Sequence, residues 1–174
     1  MSMSAVTEAE VLNDQSDAAR QYLTFMLAGE EYGVDILRVQ EIKGWDSVTE
    51  IPNTPDYIKG VINLRGTIVP IVDLRQRFGM NDIEYGPTTV VIVLKVYAQE
   101  RSRVMGIVVD AVSDVYNVDS EALQPPPDFG ALVDVEFVQG LATVGETMLI
   151  ALDIDKLLNS NELQILDEAT ASND

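Results

Sequence analysis

The chain contains no cysteine and no histidine. The first absence excludes disulfides, thiol nucleophiles and thiolate metal sites. The second excludes every Ser-His-Asp arrangement and every imidazole-ligated metal, and removes the commonest general base near neutral pH. Positive charge is scarce: 11 Lys and Arg stand against 29 Asp and Glu, a formal charge of −18. Such a chain repels a phosphate backbone, because nucleic-acid binding depends on cationic side chains displacing counterions. Long hydrophobic runs are missing as well. The unbroken apolar run Val90–Leu94 is far short of the roughly 20 residues a spanning helix needs. Residues 1–19 carry Glu8, Glu10, Asp14 and Asp17 without an apolar stretch, so they read as a disordered arm rather than a secretory signal. A soluble, cytoplasmic protein is expected.

What remains is ample for folding: 174 residues with 47% hydrophobic content can bury one ordinary core or two small ones. QYLTFML at 21–27 alternates in pattern, Ala28-Gly29-Glu30-Glu31 interrupts it and Tyr32-Gly33-Val34 resumes, predicting a hairpin. Asp35 is placed to cap a short helix, and Ile36, Val39 and Ile42 recur at intervals of three, which predicts one or two turns. Thr54-Pro55 has the form of an N-cap followed by proline, so Asp56–Lys59 reads as a single turn. The runs Gly60–Leu64 and Thr67–Val72 flank Arg65-Gly66, a pairing suited to a two-residue turn. Asp73 is placed to cap LRQRF, which Gly79 ends. Strands follow at 88–96 and Val104–Val109, then three prolines, a strand at 147–152, a C-terminal helix over 153–167 and a flexible tail over 168–174.

The chain repeats itself. A shift of 80 lays Phe137-Val138-Gln139-Gly140-Leu141 on Tyr57-Ile58-Lys59-Gly60-Val61 and Asp153-Ile154 on Asp73-Leu74. A shift of 73 lays Gly106-Ile107 on Gly33-Val34, and Val112, Asp114 and Val115 on Val39, Glu41 and Ile42. One long-period repeat of short strands predicts two fused small β-barrels, over residues 20–85 and 86–152, with strand exchange between them open.

Candidates for chemistry are few. Asp73, Asp110 and Asp153 each follow an apolar strand, and Asp153 with Asp155 has the look of a metal pair, but a capping role in a first helical turn accounts for Asp73, Asp153 and Asp155. Gly60–Gly66 lacks the Gly-Lys-Ser/Thr ending and long helix of a phosphate loop. Arg65, at a tight turn of an acidic chain, either grips a partner carboxylate or is a solvated turn residue. Val39 and Val112 belong to barrel cores or to a groove at the seam between barrels. Trp45 and Phe129 are satellite-core residues or contact anchors.

GVDILRVQEI, IPNTPDYIKGVINLRGTIVPIVDLR, VMGIVVDAVSDV and GLATVGETMLIALDIDKLL, in that order across about residues 20–166, resemble the CheW family of bacterial chemotaxis coupling proteins. The resemblance implies two SH3-like five-stranded β-barrels and a protein without catalytic activity, cofactor or metal. It implies an adaptor that bridges the cytoplasmic tips of chemoreceptors to the regulatory domain of the histidine kinase CheA, in the cytoplasm and recruited to membrane-associated arrays. A coupling domain of the same kind serving another receptor–kinase pathway is the alternative. By the same resemblance, Val39, Glu41, Gly60, Arg65, Val90, Val112 and Val115 form the receptor-binding surface. The loop Gln124 to Phe129 implies a contact with kinase or array, although Gln124 stands where the family has a basic residue.

Overall fold

The computed structural model describes residues 19–46, 48–80, 85–98, 101–125 and 135–159. Among these are ten strands: β1 (Ala19–Leu27), β2 (Glu30–Asp35), β3 (Val39–Gly44), β4 (Ile58–Leu64), β5 (Thr67–Asp73), β6 (Val90–Ala98), β7 (Arg101–Val109), β8 (Ala111–Asp119), β9 (Val138–Val144) and β10 (Thr147–Leu152). Two short helices, α1 (Leu74–Arg77) and α2 (Ile154–Leu158), follow β5 and β10.

The local chemistry of the ends is as the residues predict. Arg65 and Gly66 both have positive φ, 53° and 88°, the conformation a two-residue hairpin turn requires. Asp73 accepts from the N–H groups of Arg75 and Gln76, Asp153 accepts from that of Lys156, and Gly79 has φ 73° just past α1. α2 is shorter than the helix expected over 153–167: it ends at Leu158 with Asn159 as its C-cap, and residues 160–167 lie outside the described residues. Two further expectations are corrected. Asp35 does accept from the Leu37 N–H, but the helix it caps is a single 3-10 turn, Ile36–Arg38, and the chain then extends as β3. A β-bulge between Val39 and Glu41 inserts one residue, so Val39 and Ile42 fall on one face of a strand at the spacing that imitates a helix. Near Pro55 a single turn does form, closed by the Ile58 N–H donating to the Pro55 carbonyl, but it is shorter than expected: the Thr54 hydroxyl donates back to the Ile51 carbonyl and does not cap it, and β4 already begins at Ile58.

The ten strands form two sheets of five, ordered β8-β1-β2-β10-β9 and β3-β6-β7-β5-β4. Front half (β1–β5, α1) and back half (β6–β10, α2) are built alike, yet neither makes a sheet alone. The opening hairpin β1-β2 of the front half completes the sheet of β8, β9 and β10, and the opening hairpin β6-β7 of the back half completes that of β3, β4 and β5. The registers match: Gly33 lies opposite Ala151 in the parallel pair β2·β10, and Gly106 opposite Ile71 in β7·β5. Each sheet curls on itself and is bridged shut, by Thr49↔Val61 in one case and Gln124↔Leu141 in the other, giving two barrel-like units.

Three apolar clusters hold this together. Tyr22, Val118, Ala142, Leu149 and Ala151 fill one barrel, and Val69, Ile71, Val91, Val93 and Val108 fill the other. A larger third cluster joins the barrels and draws on both: Leu23, Phe25, Leu27, Tyr32 and Val34 meet Ile92, Leu94, Val96, Met105, Ile107 and Val109, with Leu157 and Leu158 of α2. In β6 alternate residues serve alternate cores, Val91 and Val93 inside the barrel and Ile92, Leu94 and Val96 between barrels. Burial on both faces is why this strand reads as an unbroken apolar run.

Gly60 marks where the first barrel closes. Its φ is +141°, and a Cβ there would lie 2.2 Å from the Thr49 carbonyl oxygen. Gly60→Ala is expected to cost about 2–4 kcal/mol in urea unfolding. Gly44→Ala, where an added Cβ meets nothing within 4 Å, is expected to be near neutral.

Candidate protein-binding seam

β3 and β8 are edge strands of the two sheets, and each leaves a crossover between barrels. Val39 opens β3 opposite Leu94, and Val112 lies near the start of β8 opposite Phe25; both are half-buried against the shared core. Three residues on, across a bulge in each case, Ile42 lies opposite Ile92 and Val115 opposite Leu23. These two side chains sit where the shared core gives way to solvent, 43% and 42% exposed. Val90 packs on the same core at the start of β6, opposite Val109. Four of the expected residues, Val39, Val90, Val112 and Val115, thus border one inter-barrel core.

Glu41 faces the other way, opposite Val93, and the Arg65 guanidinium lies 2.6 Å from its carboxylate. Two expected residues are therefore brought together as an ion pair. With the Arg65 side chain 77% exposed, the pair adds little to stability and leaves most of the guanidinium open to a partner. The back half has no counterpart, since the position matching Arg65 is Gly145. Gly60 is buried, and its part in the fold is the backbone approach to Thr49. Gln124 exchanges backbone hydrogen bonds with Leu141 and leaves its side chain exposed; Phe129 lies outside the described residues. Trp45 packs on Tyr85, with ring centroids 4.5 Å apart, as a satellite of the barrel core formed by Val69, Ile71, Val91, Val93 and Val108.

Ile42 and Leu37 were not singled out from the sequence. The shift of 73 that pairs Ile42 with Val115 is the signal that finds the first. Leu37, 83% exposed in the 3-10 turn, has no periodic neighbour to give it a face.

The carboxylates considered for chemistry are engaged structurally. Asp73 is buried and also accepts a hydrogen bond from the Tyr85 hydroxyl. Burial first, and this acceptor second, push the Tyr85 phenol well above its ordinary value, so it stays a donor. Asp110 receives the Arg75 guanidinium at 2.9 Å and the Ala28 N–H at 2.9 Å. Asp155 receives Arg38 through two bonds, 2.7 and 2.8 Å, and the Tyr97 N–H at 2.8 Å. Burial alone would raise the Asp155 carboxyl, but the bonds from Arg38 and Tyr97 outweigh it and hold the group below the usual carboxylate range.

The fold and site define a duplicated, strand-exchanged two-barrel module with an apolar border along its edge strands. The CheW-like domain family model matches residues 21–162. The chain is 52% identical to "Chemotaxis protein CheW" of Klebsiella aerogenes over 153 residues, covering 88% of this chain and 90% of that protein. It is 37% identical to the CheW of Treponema pallidum over 155 residues, covering 87% and 89% respectively. The structure is similar to the crystal structure of the scaffolding protein TtCheW from Thermoanaerobacter tengcongensis, with TM-score 0.73 and 35% identity over 82% of this chain and 90% of that one. The chain belongs to the CheW-like domain family. Among the described residues no helix is long and apolar enough to cross a membrane.

Because the Asp155 carboxyl is lowered by folding, its stabilisation is present above the unfolded value, about pH 4, and is lost as pH falls through the folded one. Asp155→Asn is expected to cost about 1 kcal/mol at pH 7 and progressively less as pH falls below the ordinary carboxylate value of about 4, read by urea unfolding across that range.

Proposed function

We propose that the protein is a non-catalytic adaptor coupling the cytoplasmic tips of chemoreceptors to the histidine kinase CheA in chemotaxis signalling. The observation that carries this reading is the repeated pair of apolar residues on the two edge strands, Val39 with Ile42 and Val112 with Val115, at the border of the core that joins the barrels. A receptor tip is helical, and an amphipathic helix binds by laying apolar anchors into such a border. Glu41 and Arg65 add orientation, the exposed guanidinium offering a fork to an acidic group of the receptor. Gln124 and Phe129 are assigned to the kinase or array side. The protein acts in the cytoplasm and joins membrane-associated receptor arrays through these contacts.

Reconstitution tests the reading: kinase autophosphorylation is expected to respond to receptor only when this protein is also present. Val115→Asp and Arg65→Glu are each expected to weaken receptor-tip binding about tenfold or more, a loss of at least ~1.4 kcal/mol. Urea stability is expected to change by only about 0.5 kcal/mol, as both positions are exposed. Receptor capture equal to wild type by both variants would place the binding surface elsewhere.

A further inference from the structure

The two crossovers between barrels carry the same site with its charges exchanged. At the first, Arg38 lies on the crossover and Asp155 on α2, and the carboxylate also accepts the Tyr97 N–H from the back half's opening hairpin. At the second, Asp110 lies on the crossover and Arg75 on α1, and the carboxylate also accepts the Ala28 N–H from the front half's opening hairpin. The helix residues correspond by the shift of 80, Arg75 to Asp155, and Ala28 and Tyr97 lie at matching points of the hairpins, each four residues past the residue that pairs with Gly33 or Gly106. Helix residue and crossover residue have traded places between the sites, while the arrangement of one guanidinium, one carboxylate and one backbone N–H is kept.

The sorting of charge follows the halves. Both cations, Arg38 and Arg75, belong to the front half, and both anions, Asp110 and Asp155, to the back half. Each ion pair therefore joins one half to the other. Side-chain exposure is 23% and 30% for Arg38 and Asp155, and 19% and 30% for Arg75 and Asp110, so these are not freely solvated charges. Two front halves paired with each other would oppose guanidinium to guanidinium at both sites, and two back halves would oppose carboxylate to carboxylate. A duplicated, strand-exchanged fold needs such a distinction, since like halves otherwise present the same hairpins and the same receiving sheets.

We propose that these two ion pairs are a sorting code, which makes a front half assemble only with a back half and so directs the hairpin exchange. The code has one corollary. Exchange between two molecules is admitted only where the front half of one meets the back half of the other, and changing the charges changes which molecules can exchange.

Full-length variants test this. A front-reversed chain (Arg38→Asp with Arg75→Asp) places four anions at the two sites, and a back-reversed chain (Asp110→Arg with Asp155→Arg) places four cations there. Each is expected to raise the unfolding constant about 100-fold, from roughly tenfold per broken site. Reversing all four turns each site into the arrangement the other already has, so stability is expected to return to within about threefold of wild type. The sharper test is to refold the two half-reversed chains together. The front half of each then complements the back half of the other, and a reciprocal one-to-one dimer is expected by light scattering in the mixture but not in either chain refolded alone. This readout works whether or not a half-reversed chain folds by itself, and mere loss of stability does not produce it. Half-reversed chains as stable as wild type, a fully reversed chain no better than either, or a mixture without the mixed dimer would each overturn the proposal.

Discussion

Everything in this structure depends on burying the central strands twice. β1, β5, β6, β7, β9 and β10 each contribute residues both to a barrel's own core and to the core between the barrels, and that shared core is larger than either barrel's own. A five-stranded barrel of this size encloses too little apolar area to be secure alone, and the shared core supplies the remainder. The same burial restricts the residues. Gly106 has no room for a side chain, since a Cβ there would lie 2.7 Å from Ile71 and 2.8 Å from Val91.

Exchange of the opening hairpins ties the front half to the back half more tightly than packing would. Because β1-β2 and β6-β7 each cross to the far sheet, separating the front half from the back half means breaking backbone ladders in both sheets as well as exposing apolar surface. The geometry at the crossovers bears on function. β3 and β8 leave directly from the residues held by ion pairs, Arg38 and Asp110, and they carry the apolar border at Val39, Ile42, Val112 and Val115. A binding surface on edge strands is ordinarily a mobile one; here both strands start from fixed points.

The parts of this fold governed by neighbouring residues were legible in the sequence. The Arg65-Gly66 turn, the Asp35, Asp73 and Asp153 caps and the strand at 147–152 each follow from local chemistry, and the shifts of 73 and 80 revealed the duplication. Hairpin exchange was not readable, because a hairpin has the same pattern whichever sheet receives it. The bulge in β3 gave Val39 and Ile42 the spacing of a helix, and the proline at 55 invited a capped helical turn where the Ile51 carbonyl instead takes the Thr54 hydroxyl. Of the candidate site, the apolar border was visible through the repeat, whereas the meeting of Glu41 with Arg65 depends on barrel closure and left no local trace.

The central claim is that the two barrels are one cooperative unit, joined by a shared core and exchanged strands. Native-state hydrogen exchange measures this most directly, by comparing opening free energies of amides in the parallel pair β2·β10 with those in β5·β7. If the barrels are one unit, the slowest amides of both pairs open together at the global unfolding free energy. Opening of one barrel's amides by a separate route, several kcal/mol below that of the other, would contradict it.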